Sequence, residues 1–237
     1  SRGVSVIEPG AGELASGLVG KGRMSEPEEI VEQVKAIFAA DQQQTLASKR
    51  YIVTAGATIE PIDPVRYITN HSTGKMGYAI AEELARRGAE VALVSGKTAL
   101  QAPQGVRRVD VLSAEEMYEA AIKEFEAADC AVMCAAVADY TPVEVSATKI
   151  KKSDAAFSIE LRKTKDIAFE LGKVKGERKI VGFALETDNE QVNAEEKLRK
   201  KNLDMIVLNS LRDEGAGFGY DTNKVSFIDA SHREELP

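Results

Sequence analysis

The feature that most constrains the fold is an alternation of short apolar segments with amphipathic helical segments. Apolar segments typical of strands begin at residues 51, 90, 106 and 130, and helical periodicity covers residues 77–89 and 113–128. The run CAVMCAAVADY (residues 130–140) is almost continuously apolar, as in a strand buried on both faces of a parallel sheet. The alternation predicts an α/β, doubly wound, Rossmann-like fold, with a mostly parallel sheet and helices on both faces.

The second half of the chain continues this pattern less regularly. We predict, in order, a basic loop and strand in ATKIKKSDAAFSIELRKT, a helix in KDIAFELGKVKG, a strand in KIVGFALET, a helix over 189–201 with a Thr187–Glu190 capping box, a strand in LDMIVLNS, and a turn and strand in GFGYDTNKVSFID. Strands interleaved with helices in this way extend the predicted parallel sheet.

A separate segment precedes this α/β region. Residues 1–24 are rich in glycine, and a helix is predicted to follow, with Ser25 and Glu28 as its capping box and Pro27 in its first turn. The polar residues 41–49 are typical of a linker. The sequence therefore predicts a boundary near residue 45, separating residues 1–44 from a domain at 45–237.

Charge and composition limit the classes of partner that the chain is expected to bind. The formal net charge is −7 and the pI is about 5.1, which argues against binding to nucleic acid or to an anionic membrane surface. No apolar run approaches the ~18 residues of a membrane helix. Cys130 and Cys134 are predicted to be buried free thiols on one face of a strand, in keeping with a cytoplasmic location.

Parallel α/β sheets bind ligands beyond the carboxyl ends of their strands. Four such ends, at residues 54–58, 135–140, 183–187 and 208–210, are therefore expected to share one edge. Asp139 is a candidate ligand for a ribose or Mg²⁺, with an ordinary turn residue as the alternative. Phe183 could stack on a base, although a core role is the favoured interpretation.

The segment VRYITNHSTGKMG (residues 65–77) resembles a loop that feeds a helix, beginning near Ser72 to Gly74. Helix starts with exposed N–H groups, hydroxyls and glycine can hold phosphate, but an ordinary capped helix fits equally well. Neither common phosphate motif is present. Gly96, Lys97 and Thr98 match the last three residues of a P-loop, but Val91 stands where its first glycine should be. A G-x-G-x-x-G fingerprint is missing after the first strand.

Clustered lysines offer further anion contacts. The KIKK run, Lys149 to Lys152, is either a solvated charge run or a mobile arm whose Lys149 closes over a polyphosphate while Ile150 packs. Lys197 and Lys201 share a helix face, where an exposed ion-pair surface is the alternative. His71 and His232 are the only histidines, which argues against a catalytic triad and a zinc site.

Five ordered motifs, VTAGATIEPIDPVRYITNHSTGKMG, AAVADY, KIKK, GFALET and KKNLDMIVLN, resemble the phosphopantothenate–cysteine ligase half of the bacterial bifunctional coenzyme A biosynthesis protein. The resemblance begins at about residue 48. It implies two steps: CTP and 4′-phosphopantothenate form an acyl-cytidylate and pyrophosphate with Mg²⁺, and the amine of L-cysteine then displaces CMP. It also implies an added β region for dimerisation and a flap.

The resemblance assigns roles residue by residue. Asn70 would hold the acyl-cytidylate, and Lys149 would promote its formation and contact the nucleotide. Asp139 would also hold the metal. Further nucleotide positions are Met133, Asp139, Lys165, Asp166, Ile167, Ala168, Phe183, Lys197 and Lys201, with Lys165 standing where proline is expected; the phosphate and intermediate positions are Gly56, Ser72, Thr73 and Gly74.

Residues 1–44 resemble the end of the upstream flavin-dependent decarboxylase half. That half carries an Ala-Cys-Gly motif, whereas this chain has Ser16 between Ala15 and Gly17. We therefore expect neither decarboxylase activity nor bound flavin in these residues. The resemblance further implies a homodimer whose partner completes each site, and additional assembly through the missing domain.

Two other functions remain open. A Rossmann-type oxidoreductase would use NAD(P), although the glycine fingerprint is missing. A non-catalytic nucleotide-binding or dimerisation module would bind CTP without releasing pyrophosphate.

Overall fold

The computed structural model describes residues 6–7, 10–13, 19–42, 44–152, 157–186, 189–210 and 224–236. The first segment contains a hairpin of β1 (Gly10–Glu13) and β2 (Val19–Arg23), followed by α1 (Pro27–Gln42). The predicted helix is confirmed with Pro27 in its first turn, and it begins at Pro27, two residues after Ser25. Ser16 lies outside the described residues.

The remaining elements build the α/β region. In chain order they are β3 (Arg50–Ala55), β4 (Ile59–Pro61), β5 (Tyr67–Thr69), α2 (Lys75–Arg86), β6 (Glu90–Ser95), β7 (Val106–Asp110), α3 (Ala114–Phe125), β8 (Cys130–Met133), β9 (Tyr140–Pro142), β10 (Leu161–Lys163), α4 (Ile167–Val174), β11 (Lys179–Glu186), α5 (Glu190–Lys200), β12 (Met205–Ser210), β13 (Val225–Ile228) and β14 (Arg233–Leu236).

Eight strands form the central sheet in the order β14-β13-β12-β11-β8-β3-β6-β7. The six strands from β12 to β7 are parallel, and β13 and β14 join antiparallel. The chain progresses outward from β3 to β7 and then returns to the other side of β3 as β8. Ligands bind in such sheets at this reversal, beyond the carboxyl ends of the strands.

Successive side chains of a strand point to opposite faces of the central sheet and pack into two separate hydrophobic cores. Ile52 belongs to a cluster that includes Met117 of α3, Leu171 of α4 and Leu198 of α5, whereas the adjacent Val53 packs with Tyr78 of α2. Helices therefore cover both faces of the sheet, as the alternating pattern predicted.

The chain leaves the sheet earlier than predicted at β8. The predicted strand over 130–140 ends at Met133, because the next residues bond to the loop that follows β3 instead. The Ala136 N–H donates to the Gly56 carbonyl at 2.8 Å, and the Ala138 N–H donates to Thr58 Oγ1 at 2.9 Å. Cys134 consequently lies beyond the strand and is only half-buried, while Cys130 is buried; both thiols are free.

Helix starts largely follow the sequence signals. Ser113 caps α3 by accepting from the Glu116 N–H, while the Glu116 carboxylate accepts from the Leu112 N–H. Asn189 is the N-cap of α5; Thr187, predicted as its cap, lies outside the described residues. The turn predicted near residue 217 also lies outside them. No helix in the described ranges is long and apolar enough to span a membrane.

Candidate functional site

A cavity of about 560 Å³ lies beyond the carboxyl ends of β3, β8 and β11. Thr54 of β3 and Val137, in the loop after β8, belong to its lining. So do nine residues predicted to bind nucleotide: Met133, Asp139, Lys165, Asp166, Ile167, Ala168, Phe183, Lys197 and Lys201. Segments separated by many residues in the chain thus converge around one space, which is large enough for a nucleotide-sized ligand.

Close packing shapes the cavity beneath α5. A Cβ at Gly182 would lie 2.6 Å from Leu203 Cδ1, so glycine allows Leu203 to pack directly over β11. Both residues line the cavity, and the adjacent Phe183 does so while also packing against the core on the α2 face. Phe183 therefore packs against the core and also lines the cavity, and its stacking on a base stays a prediction.

Residues 164–166, which precede α4, are hydrogen-bonded to the loop after β8. Thr164 Oγ1 donates to the Ala138 carbonyl at 2.6 Å, and the Thr164 N–H donates to the Asp139 carbonyl at 3.0 Å. Asp166 caps α4 by accepting from the Phe169 N–H at 3.1 Å. These bonds hold residues 164–166 and the loop that contains Asp139 as one wall. Thr164 was missed from the sequence because its role depends on a distant carbonyl.

Lysines give the cavity a cationic wall, in which Lys201 and Lys165 each pair with a carboxylate. Lys201 Nζ lies 2.9 Å from Asp166 Oδ2, and Lys165 Nζ lies 2.6 Å from Glu115 Oε1. The hydrogen bond that Lys165 donates to the Glu115 carboxylate raises the pKa of Lys165, which keeps this side chain charged. Such partly exposed pairs are weak because solvent screens them, so an incoming phosphate can replace the carboxylate.

Asp139 offers an exposed carboxylate at the cavity. Within the described ranges, no three or more His, Cys, Asp and Glu side chains form a group that could hold a metal ion. This arrangement nevertheless suits Mg²⁺ carried with a nucleotide, because that ion is held by one or two carboxylates together with substrate phosphates.

Asn70 lies next to the cavity rather than in its lining. Its Nδ2 donates to the Val137 carbonyl at 3.0 Å, and Val137 lines the cavity. The side-chain amide carries two hydrogens, so this bond leaves the second available as a donor. Asn70 is exposed on the chain between β5 and α2.

The predicted phosphate positions lie outside the cavity lining. Gly74, with φ of +80°, is the N-cap of α2, and its N–H donates to Ser72 Oγ at 3.3 Å. The Lys75 N–H donates to Thr73 Oγ1 at 3.4 Å. A Cβ at Gly74 would lie 3.4 Å from Gly56 Cα, so these two glycines meet closely. These two bonds are long and weak, and the N-cap of α2 has no side-chain hydrogen bond. A phosphate role for the four residues stays a prediction.

Lys149 is exposed and also lies outside the cavity lining, so the structure does not bring it among the other nucleotide candidates. The next residue, Ile150, is half-buried, and its main chain is bonded to Asp63 and Arg66. Sequence reasoning missed both partners, although the turn-forming DPVR segment could have indicated an Asp that bonds its own turn.

Comparison with known proteins places the chain in a family. Residues 46–237 match the family described as "DNA/pantothenate metabolism flavoprotein C-terminal domain". The chain is 53% identical over 236 residues to a cysteine/cysteine sulfinic acid decarboxylase from an unknown prokaryotic organism, covering 98% of this chain and 66% of the relative. It is 48% identical over 237 residues to the coenzyme A biosynthesis bifunctional protein CoaBC of Bacillus subtilis (strain 168), covering 99% and 58%.

A solved structure supports the assignment. The crystal structure of the C-terminal domain of the coenzyme A biosynthesis bifunctional protein CoaBC is 45% identical, with a TM-score of 0.70, and the match covers 82% of this chain and 88% of that one. The chain spans less than two thirds of the length of the two curated relatives named above. It belongs to the DNA/pantothenate metabolism flavoprotein C-terminal domain family.

Proposed function

We propose that the chain joins 4′-phosphopantothenate to L-cysteine at the expense of CTP, through an acyl-cytidylate. The observation that carries the proposal is the convergence of nine candidate nucleotide residues around one cavity, in a chain similar to bifunctional coenzyme A biosynthesis proteins. An NAD(P) oxidoreductase is less well supported, because the loop after β3 lacks the glycine fingerprint.

In the first step, a carboxylate oxygen of phosphopantothenate attacks the α-phosphorus of CTP, and pyrophosphate leaves. Both reactants are anionic, so nearby cations must reduce their repulsion and stabilise charge on the transferring group. Lys197 and Lys201 line the cavity and would take this role, and Lys149 would join them from outside the lining. Asp139 would hold Mg²⁺ with the phosphate oxygens, and the ion would supply further charge neutralisation.

In the second step, the cysteine amine attacks the acyl carbon, an oxyanion forms, and collapse of the intermediate expels CMP. Asn70 is anchored to Val137 at the cavity edge, and its second amide hydrogen can donate to this oxyanion. A neutral donor suits a site that must also admit a phosphate, since it adds no negative charge.

We also propose that the enzyme acts as a homodimer in which the partner helps to complete each site. The β9–β10 region supports this idea, because five large apolar side chains there are 42–56% exposed: Tyr140, Val143, Val145, Phe157 and Leu161. Light scattering coupled to size exclusion should give twice the chain mass. A monomer with full activity would contradict the proposal.

The decisive experiment measures pyrophosphate release with CTP, 4′-phosphopantothenate and L-cysteine, together with the mass of the amide product. Release should require CTP and phosphopantothenate, and replacement of CTP by ATP should reduce it. If CTP raises the melting temperature but no pyrophosphate forms, the chain is a binding module. A nicotinamide-dependent absorbance change would indicate the oxidoreductase instead.

The decarboxylase named among the relatives provides a second candidate, with cysteine or its sulfinic acid as substrate. That activity would release CO₂ without consuming CTP. Carbon dioxide release from either amino acid, in a sample that forms no pyrophosphate, would favour it over the ligase.

A further inference from the structure

We propose that Asp63 and Arg66 are positioning residues that fix the main chain at Ile150 and thereby set where Lys149 meets the reacting phosphate. The structural part of this inference stands alone, whereas its catalytic part rests on the proposed function. We define the Asp63–Arg66–Ile150 contact as the latch.

Asp63 is the centre of the latch. Its side chain is fully buried, and its Oδ1 accepts from the Val65 and Arg66 N–H groups, each at 2.8 Å. Its Oδ2 accepts from Arg66 Nε at 2.9 Å, from Arg66 Nη2 and from the Ile150 N–H at 3.1 Å. One carboxylate therefore joins its own turn to a residue 87 positions later in the chain.

Arg66 completes the latch from the other side. Its Nη2 donates to the Ile150 carbonyl at 2.7 Å while its guanidinium pairs with Asp63. Both polar main-chain groups of Ile150 are thus bonded to a single ion pair. Because Lys149 precedes Ile150 directly, fixing this peptide restricts the positions that the lysine ammonium can reach.

The latch also connects the two candidate catalytic residues. Asp63 and Arg66 lie in the turn of the β4–β5 hairpin, where the Ile62 N–H donates to the Arg66 carbonyl at 2.8 Å. The same hairpin leads directly to Asn70, and the Ser146 N–H donates to the Ile62 carbonyl at 3.0 Å. The hairpin therefore leads to Asn70 at its end, and its turn bonds to residues 146 and 150, on either side of Lys149.

The charge of Asp63 is essential to this arrangement. The hydrogen bonds from Arg66, and then those from the Val65, Ile150 and Arg66 amides, hold the pKa of the Asp63 carboxyl well below its usual range. It stays ionised at neutral pH and accepts from every donor around it. Asparagine has nearly the same shape but would turn an NH₂ group toward amide donors.

The test compares Asp63→Asn with Asp229→Asn as a matched control. Asp229 also accepts from turn amides, those of Ser231 and His232 at 2.7 Å, but these bonds stay within its own turn. Hydrogen exchange at the Ile150 amide should accelerate at least about tenfold in Asp63→Asn, since charge-assisted bonds are lost. It should stay at the wild-type rate in Asp229→Asn.

Activity supplies the second readout. In Asp63→Asn, kcat for pyrophosphate release should fall at least about tenfold while KM for CTP changes less than about twofold, because the cavity is untouched. Arg66→Lys keeps the charge but loses the planar fork that binds both groups, so we expect an intermediate loss. This second variant serves if Asp63→Asn does not fold.

Each outcome has a distinct meaning. Unchanged Ile150 exchange in both latch variants would overturn the structural inference. Faster Ile150 exchange with wild-type kcat would overturn the positioning role. An equal loss of kcat in the Asp229→Asn control would mean that the effect comes from lower overall stability and not from the latch. If the wild-type protein releases no pyrophosphate, the proposed function fails, while the exchange data still decide whether the latch exists.

Discussion

The cavity and the neighbouring latch region are built in different ways. The cavity is enclosed by strand ends and by α4 and α5, and its polar residues are fixed by helix capping and by bonds between adjacent loops. In the latch region, which comprises residues 62–70 and 146–150, Asn70 and Lys149 are exposed on connecting segments. Asn70 bonds to Val137, and Ile150, next to Lys149, bonds to Asp63 and Arg66. The sheet itself thus forms the cavity that we propose for the nucleotide, whereas the proposed reacting groups depend on a few polar bonds.

This difference between the cavity and the latch region predicts which kinetic constant a mutation in each should change. A rigid scaffold provides binding surface, while groups that take part in reaction often lie on loops. Substitutions in the latch region should therefore lower kcat, and substitutions in the cavity should mainly raise KM for CTP. Measuring both constants for variants of each region tests the distinction.

The largest effect is expected for Lys149→Gln. Loss of this cation should reduce pyrophosphate release at least about a hundredfold, because removing one group that stabilises transition-state charge typically costs that much. Lys151→Gln is the matched control, since it removes the same charge two residues later. The rate of pyrophosphate release at saturating CTP is compared for the two variants. Equal rates would remove Lys149 from the catalytic assignment.

A smaller effect is expected for Asn70→Asp. The carboxylate replaces a donor with an anion beside the developing oxyanion, so amide formation should slow about ten- to a hundredfold. Pyrophosphate release in a single turnover should persist, and the acyl-cytidylate should accumulate or escape. Mass spectrometry of quenched reactions detects this intermediate.

A charge control accompanies the Asn70 variant. Gln101→Glu adds the same negative charge at an exposed position and should leave amide formation unchanged. Loss of pyrophosphate release in Asn70→Asp, with no intermediate, would assign Asn70 to the first step instead.

Most of the fold could be predicted because its signals are local. Apolar runs and helical periodicity identified the six parallel strands β3, β6, β7, β8, β11 and β12 and the helices between them, and Ser113 caps α3 as its capping-box signal indicates. The short strands β4, β5 and β9 were not predicted. The end of β8 could not be predicted, since Ala135 to Ala138 remain apolar while bonding to the loop after β3. Composition alone does not reveal which main chain an apolar segment will meet.

The candidate site was predicted in part. Parallel strands bring their carboxyl ends to one edge, so Met133, Asp139 and Phe183 could be expected together. Lys201 and Lys165 were identified, but their carboxylate partners Asp166 and Glu115 come from α4 capping and from α3, which only the folded arrangement brings near. The latch was missed for the same reason: Asp63 and Ile150 are distant in sequence.

Lys201→Gln should have a moderate effect on binding. Its loss should raise KM for CTP about five- to tenfold at low salt with little change in kcat, because one partly exposed phosphate contact is removed. The effect should shrink as salt increases, since ions screen such contacts. Lys200→Gln, at an exposed position on the same helix, is the control.

The kinetic pattern of Lys201→Gln would sharpen the distinction between the two regions. A large fall in kcat at saturating CTP would place this lysine with the reacting groups. Equal KM changes in Lys200→Gln would mean that general charge, rather than contact in the cavity, attracts CTP.

The smallest effect on activity is expected at Cys134, which lies between two cavity residues, Met133 and Ala135. Burial raises the pKa of Cys134 to about 12, and burial followed by nearby carboxylates raises that of Cys130 to about 11. Since the usual thiol pKa is about 8.5, stability from these neutral thiols is complete below that value and is lost as pH rises toward 11. Cys134→Ser should change KM for CTP less than about twofold.

Thiol alkylation provides the direct measurement of this difference. Only the thiolate reacts, so the rate at Cys134 in the native protein should rise about tenfold for each pH unit from 8 to 10, without a plateau. A plateau near pH 8.5 would mean that Cys134 is open to solvent, and strong protection by CTP would place its side chain in the cavity. Of the two results, only protection by CTP would add Cys134 to the cavity lining, because a plateau alone reports contact with solvent.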